Sequence, residues 1–467
     1  MNNIKTGNTH MSHSLIPDSF PTVQIDDMFS AFSVACDLKM HWVIKLEGQI
    51  DIERIKKAIR LSVDAEPVLG CFLQNGWYKQ NWKRCMPEQL DNIFSFKETK
   101  NLNRDLMAFK TAPYDAYKDP SLKAVLLRSE NDTICIMFSH VALDGGGTKE
   151  YFKLLASIYN SLGEEPNYYP KININGSRDL HQVTKSFSFT QRISHLKLVA
   201  RDYFHSFYPK KSWQYFILGK NKSSNPTYVS HTLNSTLISN LKKNVIKENI
   251  SLTNLLMASI YRALFTQIAP SPNTPLRLGT TVDLRPHLKR KRGEALCNLS
   301  AAFDLNIGEH IGDNLIDTAK IINREMEKHK KNDIGMGDRR YMLYDTNILP
   351  YVVAKKLDTL YRIFKFLAGY KKIPPLLAFA GKMDRPLRMF KDVSVTEAYA
   401  SSPLPNSPIF FICLTGYNGA YTLCSGFKGS EEDETLVKNL FLLVENELSY
   451  AVGLASKNEA KEDVATN

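Results

Sequence analysis

Cysteine is scarce and unpatterned in this chain, with 7 in 467 residues, an odd number that includes no C-x-x-C pair. A disulfide-built scaffold is thereby excluded. Positions 36, 71, 85, 135, 297, 413 and 424, set mostly in apolar runs, suit buried, reduced side chains of a cytoplasmic protein. None is read as a candidate nucleophile. No run of about twenty apolar residues is present, which removes a membrane-spanning helix. H-E-x-x-H and dense His/Asp clusters are missing, so no metal is implied. G-x-S-x-G, G-x-x-x-x-G-K-[ST] and a G-x-G-x-x-G after a strand are missing too, which leaves serine hydrolase, P-loop and dinucleotide readings without their signatures. The opening MNNIKTGNTHMSHS has one Lys and no apolar centre, and reads as a tail rather than a signal peptide.

What the chain does have is length and positive charge. With 467 residues and 43% hydrophobic content it can bury a large core, and beyond about 250–300 residues one core gives way to two. Residues 1–21 read as a disordered tail, 22–180 as a first lobe and 181–226 as a basic, aromatic linker or crossover. Residues 227–455 read as a second lobe closing with a helix from about Glu431 to Val452, followed by a polar tail over 456–467. The formal net charge of +12 favours an anionic partner, and Lys289, Arg290, Lys291 and Arg292 concentrate part of it in one stretch. No nucleic-acid recognition motif accompanies that charge. Two segments, Arg192 to Lys220 and Ala354 to Lys391, mix bulky apolar residues with cations, a composition that suits packing against the parent lobe or peripheral membrane contact.

The stretch that can carry chemistry is Ser139-His140-Val141-Ala142-Leu143-Asp144-Gly145-Gly146-Gly147. The apolar run Thr133 to Phe138 before it predicts a strand buried on both faces, and the apolar spacing of Lys149 to Leu162 predicts a helix after it. A neutral imidazole can take a proton from an attacking hydroxyl or amine and return it to the leaving group, so His140 is the candidate base. Asp144 either orients that imidazole or, turned away by the glycines, meets a cation elsewhere. Backbone N–H groups at Gly145 and Gly146 are candidates to receive an oxyanion. His329 and Asp333 repeat the H-x-x-x-D spacing without a preceding strand or following Gly, and read as a solvated helix end. With no nucleophile evident beside His140, direct transfer between two substrates is favoured over a covalent enzyme intermediate.

At these residues the chain resembles the acyltransferase superfamily that includes nonribosomal-peptide condensation domains, wax ester synthases, alcohol acetyltransferases, plant BAHD enzymes and chloramphenicol acetyltransferase, whose shared mark is H-x-x-x-D-G. In many members a second His precedes the first, whereas this chain has Ser139. Leu278 to Pro286 (LGTTVDLRP) is similar to the strand and L-R-P turn of the family's C-terminal lobe, and the resemblance implies that Arg285 pairs with Asp144. His41 to Gly48, a helix from about Asp51 to Val63, Glu66 to Leu69, Ser251 to Ala258, Pro408 to Cys413 and Gly419 to Leu423 resemble further elements across most of the length. The D-F-G-W-G element of BAHD enzymes is absent.

The resemblance implies an α/β (α+β) fold of two chloramphenicol-acetyltransferase-like lobes in a V, with His140 at the seam and an active-site channel between the lobes. It implies no permanently bound cofactor, and acyl-CoA or acyl-phosphopantetheine as donor, whose phosphates the 289–292 cluster can meet. The expected activity is acyl transfer from a thioester to a hydroxyl or amine. Two alternatives stand beside it: a free-standing condensation enzyme served by a carrier protein, and a non-catalytic descendant that binds acyl or peptide cargo or acts as a scaffold.

Overall fold

The apolar run before His140 forms the strand Asp132–Ser139, with all eight residues buried. It is the middle strand of a five-stranded sheet of order Ser394–Ser401, Lys39–Glu47, Asp132–Ser139, Leu122–Arg128, Phe94–Glu98. This computed structural model describes residues 16–33, 36–77, 79–206, 213, 225–248, 250–331, 334–336, 374–387, 390–407 and 409–465. Because side chains alternate along a strand, Trp42, Ile44, Ile134, Ile136 and Phe138 face one way and pack on the helices Ile52–Ala65 and Gly145–Glu164. Val43, Val125, Leu127 and Cys135 face the other way and meet Leu106, Tyr228, Tyr399, Leu404 and Cys424. A strand covered on both sides has no reason to alternate polar and apolar residues.

A second, six-stranded mixed sheet has the order Ser300–Asn306, Arg277–Asp283, Leu376–Lys382, Phe411–Tyr417, Ala420–Gly429, Asn225–Leu233. Its core is filled by the helices Ser235–Glu248, Leu252–Ile268, Leu315–Lys330 and Glu431–Ala465. Ser251 caps the second of these, its hydroxyl accepting from Asn254 N at 3.1 Å. The late strands Phe411–Tyr417 and Ala420–Gly429 pair antiparallel across a tight turn in which Asn418 and Gly419 have positive φ. Two lobes, each a mixed sheet with its own helical core, make up the α/β architecture.

Four sequence expectations need correction. The strand Ser394–Ser401, expected in the second lobe, pairs antiparallel with Lys39–Glu47, and Leu404–Pro405 pairs with Cys36–Asp37. A strand's own pattern says that it must pair, but not with which free edge. Ile16 is buried and Ser19–Pro21 pairs with Asn81–Arg84, so structure begins before residue 22; residues 1–15 lie outside the described residues. The last helix continues to Ala465 instead of giving way to a tail at 456. Gly145 to Gly147 form the first turn of the helix Gly145–Glu164 rather than a loop before it, because Asp144 supplies the N-cap. Within 181–226 the described residues include the helices His181–Thr184 and Phe189–Ser206, and most of 354–391 lies outside them.

Candidate active site

His140 stands immediately after the strand Asp132–Ser139, its backbone N–H donating to Leu38 O at 2.7 Å. The imidazole is half-buried and stacks on Phe29, with ring centroids 4.5 Å apart. Nδ1 is sealed from water without a hydrogen-bond partner. From the other side of the seam, Asn298 Nδ2 donates to the carbonyls of His140 at 3.1 Å and Val141 at 2.8 Å, so the turn carrying the ring is held by its backbone. Burial lowers the His140 pKa, against the opposing charge of Asp144, and the ring is neutral near pH 7.

Asp144 turns away from the imidazole. Its carboxylate accepts from Gly147 N at 2.7 Å as the helix cap, from Leu299 N at 2.6 Å, and pairs with Arg285 Nη1 at 2.9 Å. Of the two roles left open for this residue, the geometry is that of the cation partner. Arg285 is 4% exposed and also reaches Glu150 at 3.2 Å, Asp283 at 3.0 Å and Cys297 O at 2.9 Å. Burial works against its charge, but Asp144, Asp283 and Glu150 outweigh that cost and raise its pKa. Such a network joins the first-lobe helix to the turn after Arg277–Asp283 and fixes the position of the His140 turn between them.

The glycines divide the work. A Cβ at Gly146 would run into the Arg285 guanidinium, whereas one at Gly145 would meet nothing within 4 Å. The N–H groups of both have no hydrogen-bond partner among the described residues, as expected for the first turn of a helix. Lys289, Arg290, Lys291 and Arg292 are all exposed and form no ion pair among the described residues. Their loop is tied to the site by Gly293 N, which donates to Glu150 Oε1 at 2.9 Å. Cys297 lies behind Arg285 with its thiol pushed up to about 12 by burial, which makes it a packing residue and not a thiolate. All seven cysteines are unpaired.

His329 ends the helix Leu315–Lys330 against Phe303, ring centroids 4.4 Å apart, and Asp333 lies outside the described residues. Sequence reasoning missed Phe29, Glu150 and Asn298. Glu150 is one turn beyond the motif, but Phe29 and Asn298 come from more than a hundred residues to either side, and no local spacing marks them. Among the described residues no helix is long and apolar enough to cross a membrane. The helix Phe189–Ser206 does expose Phe189, Ile193 and Leu196, which share one face at i, i+4, i+7 spacing.

No family model matches the sequence, and no curated protein matches it. Solved structures do. Polyketide synthase associated protein 5 from Mycobacterium tuberculosis is similar at 15% identity and a TM-score of 0.61, over 92% of this chain and 100% of that one. Trichothecene 15-O-acetyltransferase from Fusarium sporotrichioides is similar at 14% identity and a TM-score of 0.65, over 92% and 96%. The first condensation domain of the CDA synthetase is similar at 13% identity and a TM-score of 0.64, also over 92% and 96%. At these identities the likeness concerns architecture, and the chain shares the two-lobed α/β fold of these structures.

Proposed function

We propose that this protein is an acyltransferase that moves an acyl group from a thioester, acyl-CoA in the first instance, to the hydroxyl or amine of an acceptor. His140 is the general base. The observation that carries the proposal is a neutral, backbone-held imidazole whose Nδ1 is sealed, which leaves the Nε2 edge to accept the proton. As the acceptor's oxygen or nitrogen bonds to the thioester carbonyl carbon, its proton passes to Nε2. When the C–S bond breaks, that proton goes to the departing sulfur. The unpartnered N–H groups of Gly145 and Gly146 are the local donors for the carbonyl oxygen as it gains charge.

Asp144 and Arg285 act as positioning residues in this scheme, since both face away from the imidazole. Lys289, Arg290, Lys291 and Arg292 form the anchored, unpaired cationic loop that suits the phosphates of CoA or phosphopantetheine. The apolar face of Phe189, Ile193 and Leu196 is where peripheral contact with a membrane would form.

The test is incubation of the purified chain with acyl-CoAs and mixed alcohols and amines, read by mass spectrometry. The ester or amide product is expected from the parent protein, with a loss of about 10²–10⁴-fold in His140→Ala at unchanged melting temperature. Equal transfer by the variant would remove His140 as the base. Absence of product from both proteins over the whole panel would favour a binding protein.

A further inference from the structure

On the face of the first sheet that looks toward the second lobe, the buried side chains of Lys110 and His41 lie against the Tyr228 ring. Lys110, in the last turn of the helix Leu102–Thr111, is 3% exposed and has neither ion pair nor hydrogen bond among the described residues. Its ammonium lies 4.0 Å from the centre of the Tyr228 ring and 5.9 Å from that of Tyr399. Tyr228 reaches it from the second lobe by lying across Gly426, its cross-strand partner, where a Cβ would stand 2.6 Å from the ring. The Tyr228 hydroxyl is buried and unpartnered. His41 is fully buried, its ring centre 5.7 Å from that of Tyr228, and its Nε2 is also unpartnered. Ser401 Oγ is 3.4 Å from His41 Nδ1. With the serine donating there, the imidazole proton sits on Nε2, which then becomes a donor.

The charges do not cancel. Lys39 and Lys110 are both at least 96% removed from solvent, and the one carboxylate beside them among the described residues, Asp37, is engaged by Lys39 at 3.2 Å. Lys39 also donates to Ala112 O, just past the helix that carries Lys110. That leaves one cation, with only the helix C-terminus and two ring faces to balance it. Donors with no acceptor and one surplus positive charge match one small anion.

We propose that Lys110, His41 and Tyr228 form a binding site for a single small monovalent anion at the junction of the lobes, separate from the His140 site and independent of the acyl-transfer reading. The residues are too deeply enclosed for a bulky carboxylate. Because His41 comes from the strand Lys39–Glu47, Lys110 from the first-lobe helix Leu102–Thr111 and Tyr228 from Asn225–Leu233, a bound ion ties the lobes together.

The experiment is thermal unfolding of the full chain in sodium chloride against sodium gluconate at matched ionic strength. Chloride is expected to raise Tm saturably by about 2 °C. Lys110→Met and Tyr228→Phe are expected to lose that rise. Co-crystallisation with sodium bromide is expected to give an anomalous peak between Lys110 Nζ and His41 Nε2, a readout that needs no variant to fold. Identical melting in the two salts, an undiminished rise in Lys110→Met, or no bromide peak would each overturn the proposal.

Discussion

Two buried charge clusters lie where the lobes meet, and they differ in how completely they are satisfied. The Arg285–Asp144 pair is fully partnered: Asp144 takes two backbone N–H groups and the guanidinium, and Arg285 spends its remaining donors on Glu150, Asp283 and Cys297 O. Around Lys110 the same degree of burial comes with an ammonium set over aromatic rings and with His41 Nε2 and the Tyr228 hydroxyl, which have no hydrogen-bond partner among the described residues. A saturated network resists change and suits holding the His140 turn in place. An unsaturated one is a place for something to bind.

The sharpest way to break this comparison is to remove one cation from each cluster. Arg285→Ala leaves Asp144 buried against two amides only, and a loss of about 3–5 kcal/mol is expected in denaturant unfolding. Lys110→Met, in chloride-free buffer, replaces a lone buried cation by an apolar chain of similar length, and a change within about 1 kcal/mol is expected, on the stabilising side. Similar losses in both would erase the distinction drawn between them.

A smaller effect separates the glycines. Gly146→Ala forces a methyl group against the Arg285 guanidinium, and a cost of about 1–3 kcal/mol is expected, with loss of transfer activity as the turn shifts. Gly145→Ala meets open space and should change stability by less than about 1 kcal/mol. An equal cost at the two positions, by calorimetry or urea melts, would contradict the packing around Arg285.

The smallest effects are those of pH, and they have opposite signs on two groups. His140 has its pKa lowered from 6.5 by burial, so the acid limb of kcat/KM should fall below the ordinary imidazole range. As its native form binds fewer protons than the unfolded one, His140 also makes the protein less stable as pH falls. Glu66 is raised to about 7 by burial, against hydrogen bonds from Asn173 and Leu296 N, so its native form binds more protons. Its contribution is present in acid and is lost as pH rises through 7, by about 1 kcal/mol between pH 6 and 8. Glu66→Gln should flatten that decline, which unfolding curves at several pH values will show.

Legibility from sequence followed distance along the chain. The strand before His140 and the helix after it depend on residues within a few positions of one another, and both are present. The start of the helix was misplaced because Gly residues suggest a loop, and only the Asp144 cap makes their first turn helical. Phe29 and Asn298, which hold the ring and its turn, could not be read, because their contacts join residues more than a hundred positions apart. The strand Ser394–Ser401 was given to the wrong sheet for the same reason.

By itself, then, the sequence determined the local chemistry: an imidazole at the end of a doubly covered strand, a capping carboxylate, three glycines and a distant arginine in a strand-end turn. Tertiary structure alone decided that Asn298 of the second lobe holds the His140 turn, and that a lysine and a histidine of one lobe face a tyrosine of the other with no acceptor between them among the described residues. The physical reason is that backbone propensity and side-chain periodicity act over a few residues, whereas desolvation and charge pairing depend on which surfaces the folded chain brings together.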